Sequence, residues 1–155
     1  MDSSFIVRLK TLGIELPPPP AAAGSYAPVV VTGNLAFVSG QLSTESGKDL
    51  TGVVGSDVGV RDGRAAARLC GLNLLSQLNS EFGGLERVKQ VVRLCGFIRS
   101  AGEPNLPAIL DGCSELLLEV FGEAGRHARS VLGVRDLPRN CIVEIEAVVE
   151  IHPML

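Results

Sequence analysis

Two charged residues near the end of this chain, Arg129 and Glu144, are the strongest candidates for chemistry. Arg129 lies in the run 125–134, whose alternation of residue types predicts a strand. Because side chains alternate across a strand, Arg129 shares one face with Val131, while Ser130 points the other way. Glu144 lies in a second strand-like run, 142–151. The residues alone leave open whether Arg129 binds a ligand or another part of the protein.

An ion pair between Arg129 and Glu144 is the simplest structural alternative. The two strands are joined by the turn-forming segment 136–140, so we expect antiparallel neighbours with their polar faces on the same side of the sheet. A cross-strand salt bridge contributes little to stability where it is exposed. On this geometry alone the structural pair is favoured over a functional site.

The elements that must position these residues follow from periodicity and from glycine and proline. A short helix over 3–13 precedes an extended proline segment at 17–20, and a Gly33-Asn34 turn predicts a hairpin. A loop over 43–55 contains a short edge strand at 52–54. The remaining elements are a helix at 56–82, a strand at 88–99, a helix from Pro104 or Pro107 to Gly122, and strands at 127–134 and 142–151.

This order, β-β-(β)-α-β-α-β-β, predicts an α+β fold with a mixed six-stranded sheet and two helices packed on one face. The short N-terminal helix is added to that core. We divide the chain into an N-terminal helix and proline-rich tether, residues 1–23, and a single domain, residues 24–155. At 155 residues the chain is long enough to bury a substantial core.

Composition excludes several classes of function. The net charge is −3 and no basic block occurs, so a nucleic-acid partner is disfavoured. The four cysteines are widely separated and there are only two histidines, so we expect no metal site and reduced thiols in a cytoplasmic protein. No apolar run is long enough to span a membrane, so no membrane association is expected.

Several short motifs occur in a characteristic order. They are Gly24-Ser25-Tyr26, Phe37-Val38-Ser39-Gly40-Gln41, His127-Ala128-Arg129-Ser130, Leu137-Pro138 and Val143-Glu144-Ile145-Glu146-Ala147. Over residues 24–151 the chain resembles the RidA/YjgF family of imine deaminases, also called the L-PSP (liver perchloric-acid-soluble protein) family, and within it a less-studied YjgF-like branch. Each motif is weak alone, but together they are specific.

The resemblance implies a chorismate-mutase-like fold and a homotrimer with three clefts between subunits. It implies that Arg129 holds a substrate carboxylate through two parallel hydrogen bonds. Glu144 would position or activate water, while Tyr26, Ser39, Gly40 and the backbone of Val131 would line the cleft. The implied reaction is hydrolysis of a 2-aminoacrylate-type enamine or imine to a 2-keto acid and ammonia, with no metal or organic cofactor.

Two positions depart from well-known deaminases of this family. Val131 stands where a cysteine is common, and Asp111 precedes Gly112 where the second helix commonly carries an asparagine. An extra carboxylate weakens an anion site if it points inward. One alternative is therefore a non-catalytic protein that binds a small carboxylate metabolite or a regulatory partner in the same cleft. An endoribonuclease is a further, disfavoured alternative.

Overall fold

The computed structural model describes residues 5–153 and contains three α-helices and seven strands in that range. The helices are α1 (Phe5–Thr11), α2 (Val60–Phe82) and α3 (Leu106–Phe121). The strands are β1 (Val29–Thr32), β2 (Leu35–Leu42), β3 (Thr44–Glu45), β4 (Lys48–Asp49), β5 (Val88–Arg99), β6 (Ala128–Val134) and β7 (Val143–Ile151). The first two positions of the helix expected at 3–13 lie outside the described residues.

The main sheet has the strand order β1-β2-β7-β5-β6. Strands β5 and β6 are parallel, because α3 carries the chain back across the sheet, and every other neighbouring pair is antiparallel. The predicted α+β class, with its mixed sheet and one helical face, is confirmed. The main sheet has five strands and not six, since β3 and β4 form a separate two-stranded hairpin and Val54 makes only isolated bridges.

The expectation that the last two strands are neighbours is wrong. Strand β5 lies between β6 and β7, pairing with β6 along one edge and with β7 along the other. The β5-α3-β6 crossover places β6 on the outer edge of β5. Strand β7 then fills the central position, where both of its edges form hydrogen bonds, one with β2 and one with β5.

Helices α2 and α3 pack against each other and cover one face of the sheet. Their contact is close at Gly112, where a Cβ atom would collide with the carbonyl oxygen of Arg64. Leu74 and Leu78 of α2 and Leu110 and Leu117 of α3 are buried in the layer between helices and sheet. Apolar residues recurring every three to four positions explain why both segments are helical. Among residues 5–153, no helix covers the opposite face of the sheet, which is the helix-free face.

The N-terminal segment is held against the helical layer. Phe5 of α1 packs edge-on against Phe121 of α3, with ring centroids 5.2 Å apart. In the proline segment, the carbonyl oxygens of Pro17 and Pro20 accept hydrogen bonds from the side chains of Ser76 and Gln77 on α2. The extended conformation imposed by the prolines therefore lies along the outside of α2.

Within residues 5–153, no helix combines the length and the apolar composition needed to cross a membrane.

Candidate functional site

A β-bulge in β2 creates the first half of the candidate site. Val38 pairs with Ala147 and Gln41 with Ile145, so Ser39 and Gly40 together face one residue of β7. Glu144 lies on the helix-free face, and its carboxyl group packs directly on Gly40, where any Cβ atom would collide with it. The bulge and the missing side chain of Gly40 thus provide the space for a half-buried carboxylate.

Burial raises the pKa of the Glu144 carboxyl above its ordinary value of 4.5, and the nearby negative charge of Glu146 raises it further. Both effects have the same sign because each disfavours the ionised form. A carboxylate of raised basicity is better suited to accept a proton from water than an ordinary surface glutamate.

The same shift predicts a pH-dependent cost in stability. The folded protein retains the Glu144 proton at pH values where the unfolded chain has lost it, so stability falls as pH rises from about 4.5 through the raised pKa. Glutamine carries no charge. We therefore expect Glu144→Gln to melt at a higher temperature than the unsubstituted protein at pH 7, with the difference closing near pH 4, as measured by calorimetry. A lower melting temperature for the variant at pH 7 would contradict this origin of the shift.

Ser39 and Tyr26 lie next to the bulge. The Ser39 hydroxyl donates to the carbonyl oxygen of Ala27 at 2.7 Å, and this bond ties the Tyr26 loop to β2. Tyr26 is 52% exposed, and its hydroxyl oxygen accepts a hydrogen bond from the backbone N–H of Ala23 at 3.2 Å. Tyr26 and Gly40 line one small cavity of about 50 Å³. Gly40 therefore borders both the Tyr26 cavity and the Glu144 carboxyl group, with Ser39 beside it in β2.

Arg139 also lines that cavity, although the sequence patterns did not single it out. Its guanidinium donates to Asp49 at 2.8 Å and to the hydroxyl of Thr44 at 3.0 Å. Its backbone has φ 53°, a left-handed conformation that costs a non-glycine residue roughly 1–3 kcal/mol. The Pro138 before it and the Asn140 after it mark a turn, but no local pattern indicates that this turn brings Arg139 to the cavity that Tyr26 lines.

Arg129 lies on the other face of the sheet, among side chains of α3. Its Nη1 donates to Asp111 at 2.7 Å and to the Ser114 hydroxyl oxygen at 3.0 Å, and its Nη2 donates to the carbonyl oxygen of Pro107 at 3.3 Å. The predicted sharing of a face by Arg129 and Val131 agrees with this position, since Val131 packs against the core. Asp111, which stands where the resembled deaminases commonly have an asparagine, therefore contacts the Arg129 guanidinium directly.

His127 completes a hydrogen-bonded chain behind Arg129. The carbonyl oxygen of Gly125 lies 2.6 Å from Nδ1 and can only accept, so Nδ1 carries a proton. In the neutral imidazole, Nε2 then accepts from the Ser114 hydroxyl at 2.9 Å, while the same hydroxyl oxygen accepts from Arg129. Sequence reasoning missed Ser114. Ser114 could have been found from its position three residues after Asp111, because residues three apart lie on the same face of a helix.

The two halves of the candidate site do not meet within one chain. Arg129 is level with Leu94 of β5 and Glu144 with Phe97, which lie on opposite faces of that strand. Strands β6 and β7 are two positions apart in the sheet, and the two residues differ in level by three residues along β5. Together these displacements place the Cα atoms of Arg129 and Glu144 about 14 Å apart. The expected Arg129–Glu144 ion pair is therefore wrong, and Asp111 is the partner of Arg129. Within one chain, Arg129 and Glu144 therefore face different layers of the structure.

Among residues 5–153, no group of three or more histidine, cysteine, aspartate or glutamate side chains is arranged to hold a metal ion. All four cysteines are buried and unpaired. Burial raises the pKa of the Cys113 thiol to about 12, while the charge of nearby Arg129 opposes that rise. This thiol is therefore protonated at neutral pH and is a packing residue.

The chain is similar to a family model and to two known proteins. Residues 6–151 match the family model described as "YjgF/chorismate mutase-like, putative endoribonuclease". The chain is 42% identical to Protein TCP17 of Trypanosoma cruzi, over 94% of this chain and 92% of that protein. It is 29% identical to a 2-iminobutanoate/2-iminopropanoate deaminase of Dermatophagoides farinae, over 90% and 95% of the respective chains.

Two solved structures differ in how similar they are to this chain. A protein of unknown function from Agrobacterium tumefaciens is 42% identical with a TM-score of 0.88, covering 96% of this chain and 92% of that one. RidA from a Psychrobacter species is 25% identical with a TM-score of 0.61, covering 86% and 94%. The chain is thus more similar in sequence and in backbone to the Agrobacterium protein than to this RidA.

Proposed function

The chain belongs to the YjgF/chorismate mutase-like family, and we propose that it hydrolyses reactive 2-imino acids and their enamine tautomers to 2-keto acids and ammonia. The observation that carries the proposal is the Glu144 carboxylate, held in the space above Gly40 with a raised pKa. A relative named as a deaminase of 2-iminobutanoate and 2-iminopropanoate supports the substrate class.

The proposed reaction mainly requires that a water molecule be held against the imine carbon. The carbon of a protonated imine is electrophilic, and Glu144 accepts a proton from the water that attacks it. The C–O bond forms as the C=N electron pair moves to nitrogen, and the proton then passes to that nitrogen. The hydroxyl proton of this adduct returns to Glu144 as ammonia leaves, which gives the carbonyl of the 2-keto acid, and ammonia then takes up that proton as ammonium. Arg129 holds the substrate carboxylate, with its Nε–H still without a partner among the described residues.

We further propose that each site lies between two copies of the chain, in a homotrimer. The separation of Arg129 from Glu144 within one chain supports an arrangement in which neighbouring subunits contribute one residue each. Large apolar side chains on the helix-free face also support association, namely Val30 at 55%, Phe37 at 44% and Leu132 at 47% exposure.

Ammonia release tests the activity. Imines generated in situ from several amino acids by an amino-acid oxidase hydrolyse slowly without a catalyst. We expect the purified protein to accelerate this step in proportion to its concentration, as followed by a coupled ammonia assay. Oxidase turnover is measured separately by peroxide formation, so that an effect on the oxidase is not mistaken for deamination. Unchanged ammonia release with several different imines would reject the proposed activity.

Subunit mixing tests the composite site. Arg129→Ala and Glu144→Gln chains are each expected to be inactive alone. Co-refolded in equal amounts, they should recover about one quarter of the wild-type activity, because a site is intact only when each subunit contributes its unsubstituted residue. Light scattering establishes the subunit number of each preparation. No recovery from a mixed oligomer would mean that both residues act from the same chain.

Binding without catalysis is the second candidate function, and Asp111 favours it. Asp111 lies 2.7 Å from Arg129 in a partly exposed pair, so its negative charge offsets part of the attraction that Arg129 offers to a simple anion. Thermal stabilisation by a small ligand that carries both a carboxylate and a cationic group, without any ammonia release, would favour this candidate. RNA cleavage receives no such support, since the net charge is −3.

A further inference from the structure

Asp111 and Arg129 form an ion pair that leaves part of each charged group available. Their Oδ1 and Nη1 atoms are 2.7 Å apart, and their side chains are 40% and 26% exposed, respectively. Among the described residues, Oδ2 of Asp111 and Nε of Arg129 have no hydrogen-bond partner. One carboxylate oxygen of Asp111 and the Nε–H of Arg129 are therefore available to a ligand in a partly exposed ion pair.

The surroundings hold the pair in place. Ser114 and the carbonyl oxygen of Pro107 occupy further donors of Arg129, and Ser114 is fixed in turn by His127. Asp111 and Ser114 both project from the same face of α3, which packs over β6. A ligand reaching the free edge of Arg129 therefore meets the charge of Asp111 as a fixed feature of the site.

We propose that Asp111 makes the Arg129 position selective for ligands that carry a cationic nitrogen next to their carboxylate. Such a ligand places its carboxylate on the free guanidinium edge and its nitrogen on Oδ2 of Asp111, matching both charges. A simple monoanion gains the first contact but meets repulsion from the second group. The inference rests on the proposed function, where it specifies the protonated iminium form of a 2-imino acid as the form bound.

This selectivity has a consequence for catalysis. The negative charge of Asp111 favours the protonated form of the imine nitrogen, and the protonated imine has a more electrophilic carbon than the neutral one. The overall change is R–C(=NH2+)–COO⁻ plus H2O to R–CO–COO⁻ plus NH4+, which balances in atoms and charge. The product has lost its cationic nitrogen and is a monoanion, so Asp111 now repels it and favours its release.

Equilibrium binding to the full-length protein tests the selectivity without requiring turnover. The probes are L-alanine, a zwitterion, and pyruvate, a monoanion of similar size, and calorimetry gives a dissociation constant for each. Asp111→Asn removes the charge but keeps an oxygen that can accept from Arg129. We expect this change to shift the ratio of the two constants at least tenfold toward pyruvate. Glu115→Gln is the matched control, since Glu115 is one turn further along α3 and pairs with Arg64.

An unchanged ratio in Asp111→Asn, or an equal shift in Glu115→Gln, would overturn the proposal. Tighter binding of both ligands to Asp111→Asn would also overturn it, because Asp111 would then only occupy Arg129. Failure of the wild-type protein to bind L-alanine would do the same. Ammonia release separates the proposed deaminase function from the proposed ligand selectivity. A shifted ratio in a protein without deaminase activity rejects the proposed function and retains the selectivity.

Discussion

Glu144→Gln is expected to lower the rate of imine hydrolysis by about 10²- to 10⁴-fold, the range for losing a positioned general base. Glutamine keeps the size of the side chain above Gly40 and removes only the proton-accepting group. Folding should be preserved, because removing a charge whose pKa is raised by burial favours the folded state at neutral pH. Lower activity combined with a higher melting temperature thus cannot be attributed to unfolding.

The pH dependence of the rate gives a second measurement on the same residue. Hydrolysis by the wild-type protein should rise with pH through a pKa above the ordinary glutamate value of 4.5, since only ionised Glu144 accepts a proton. Glu146→Gln is the matched control, because it removes a charge two residues away on the same face. That variant should remain active, with its acidic limb moved to lower pH.

Two results would contradict the role of Glu144. One is a Glu144→Gln variant that hydrolyses imines at the wild-type rate. The other is a variant that loses activity equally at every pH while the wild-type profile shows no dependence on an acidic group. The second result would indicate that Glu144 supports the shape of the site and transfers no proton.

Arg129→Ala is expected to weaken binding of small carboxylate ligands by about 10- to 150-fold and to abolish ammonia release. A charge-assisted hydrogen bond contributes about 1.5–3 kcal/mol, and about 1.4 kcal/mol corresponds to a factor of ten. Catalysis should fall further than affinity, because an unanchored substrate no longer presents its imine carbon to Glu144. Ammonia release and calorimetric binding measure the two effects separately.

Two further variants separate charge from geometry at this position. Arg129→Lys keeps the positive charge but lacks the planar pair of donors, so we expect intermediate binding and little turnover. Arg126→Ala removes another guanidinium three residues away, which is 72% exposed and pairs weakly with Glu123. It should behave as wild type. Equal activity in Arg129→Ala and wild-type protein would refute the anchor.

The sequence by itself determined the local elements and the side-chain alternation within them. The strand expected at 88–99 has those bounds in the structure, and Gly83 caps α2 with the left-handed backbone that the glycine pair indicated. The shared face of Arg129 and Val131 is likewise a property of one strand. Such features depend on residues close together in the chain, so periodicity and turn chemistry suffice to predict them.

The resemblance in the short motifs identified the fold and the candidate residues, but it did not place them. Gly40 meets the Glu144 carboxyl group and borders the Tyr26 cavity because a bulge in β2 opposes β7. Within the loop over 43–55, β3 and β4 pair with each other in a separate hairpin and do not add a sixth strand to the main sheet. Strand pairing of this kind is decided by competition for edges across the whole domain.

Only the tertiary structure decided what Arg129 faces. Its chain neighbours suggested Glu144, which follows after one turn, but β7 pairs on the far side of β5 and its glutamates face away from α3. Helix α3 instead brings Asp111 and Ser114 to the guanidinium. The physical reason is that a strand fixes two faces for its side chains but not which layer covers each face. That choice is made by long-range packing, and here it sets an acid beside the proposed carboxylate anchor.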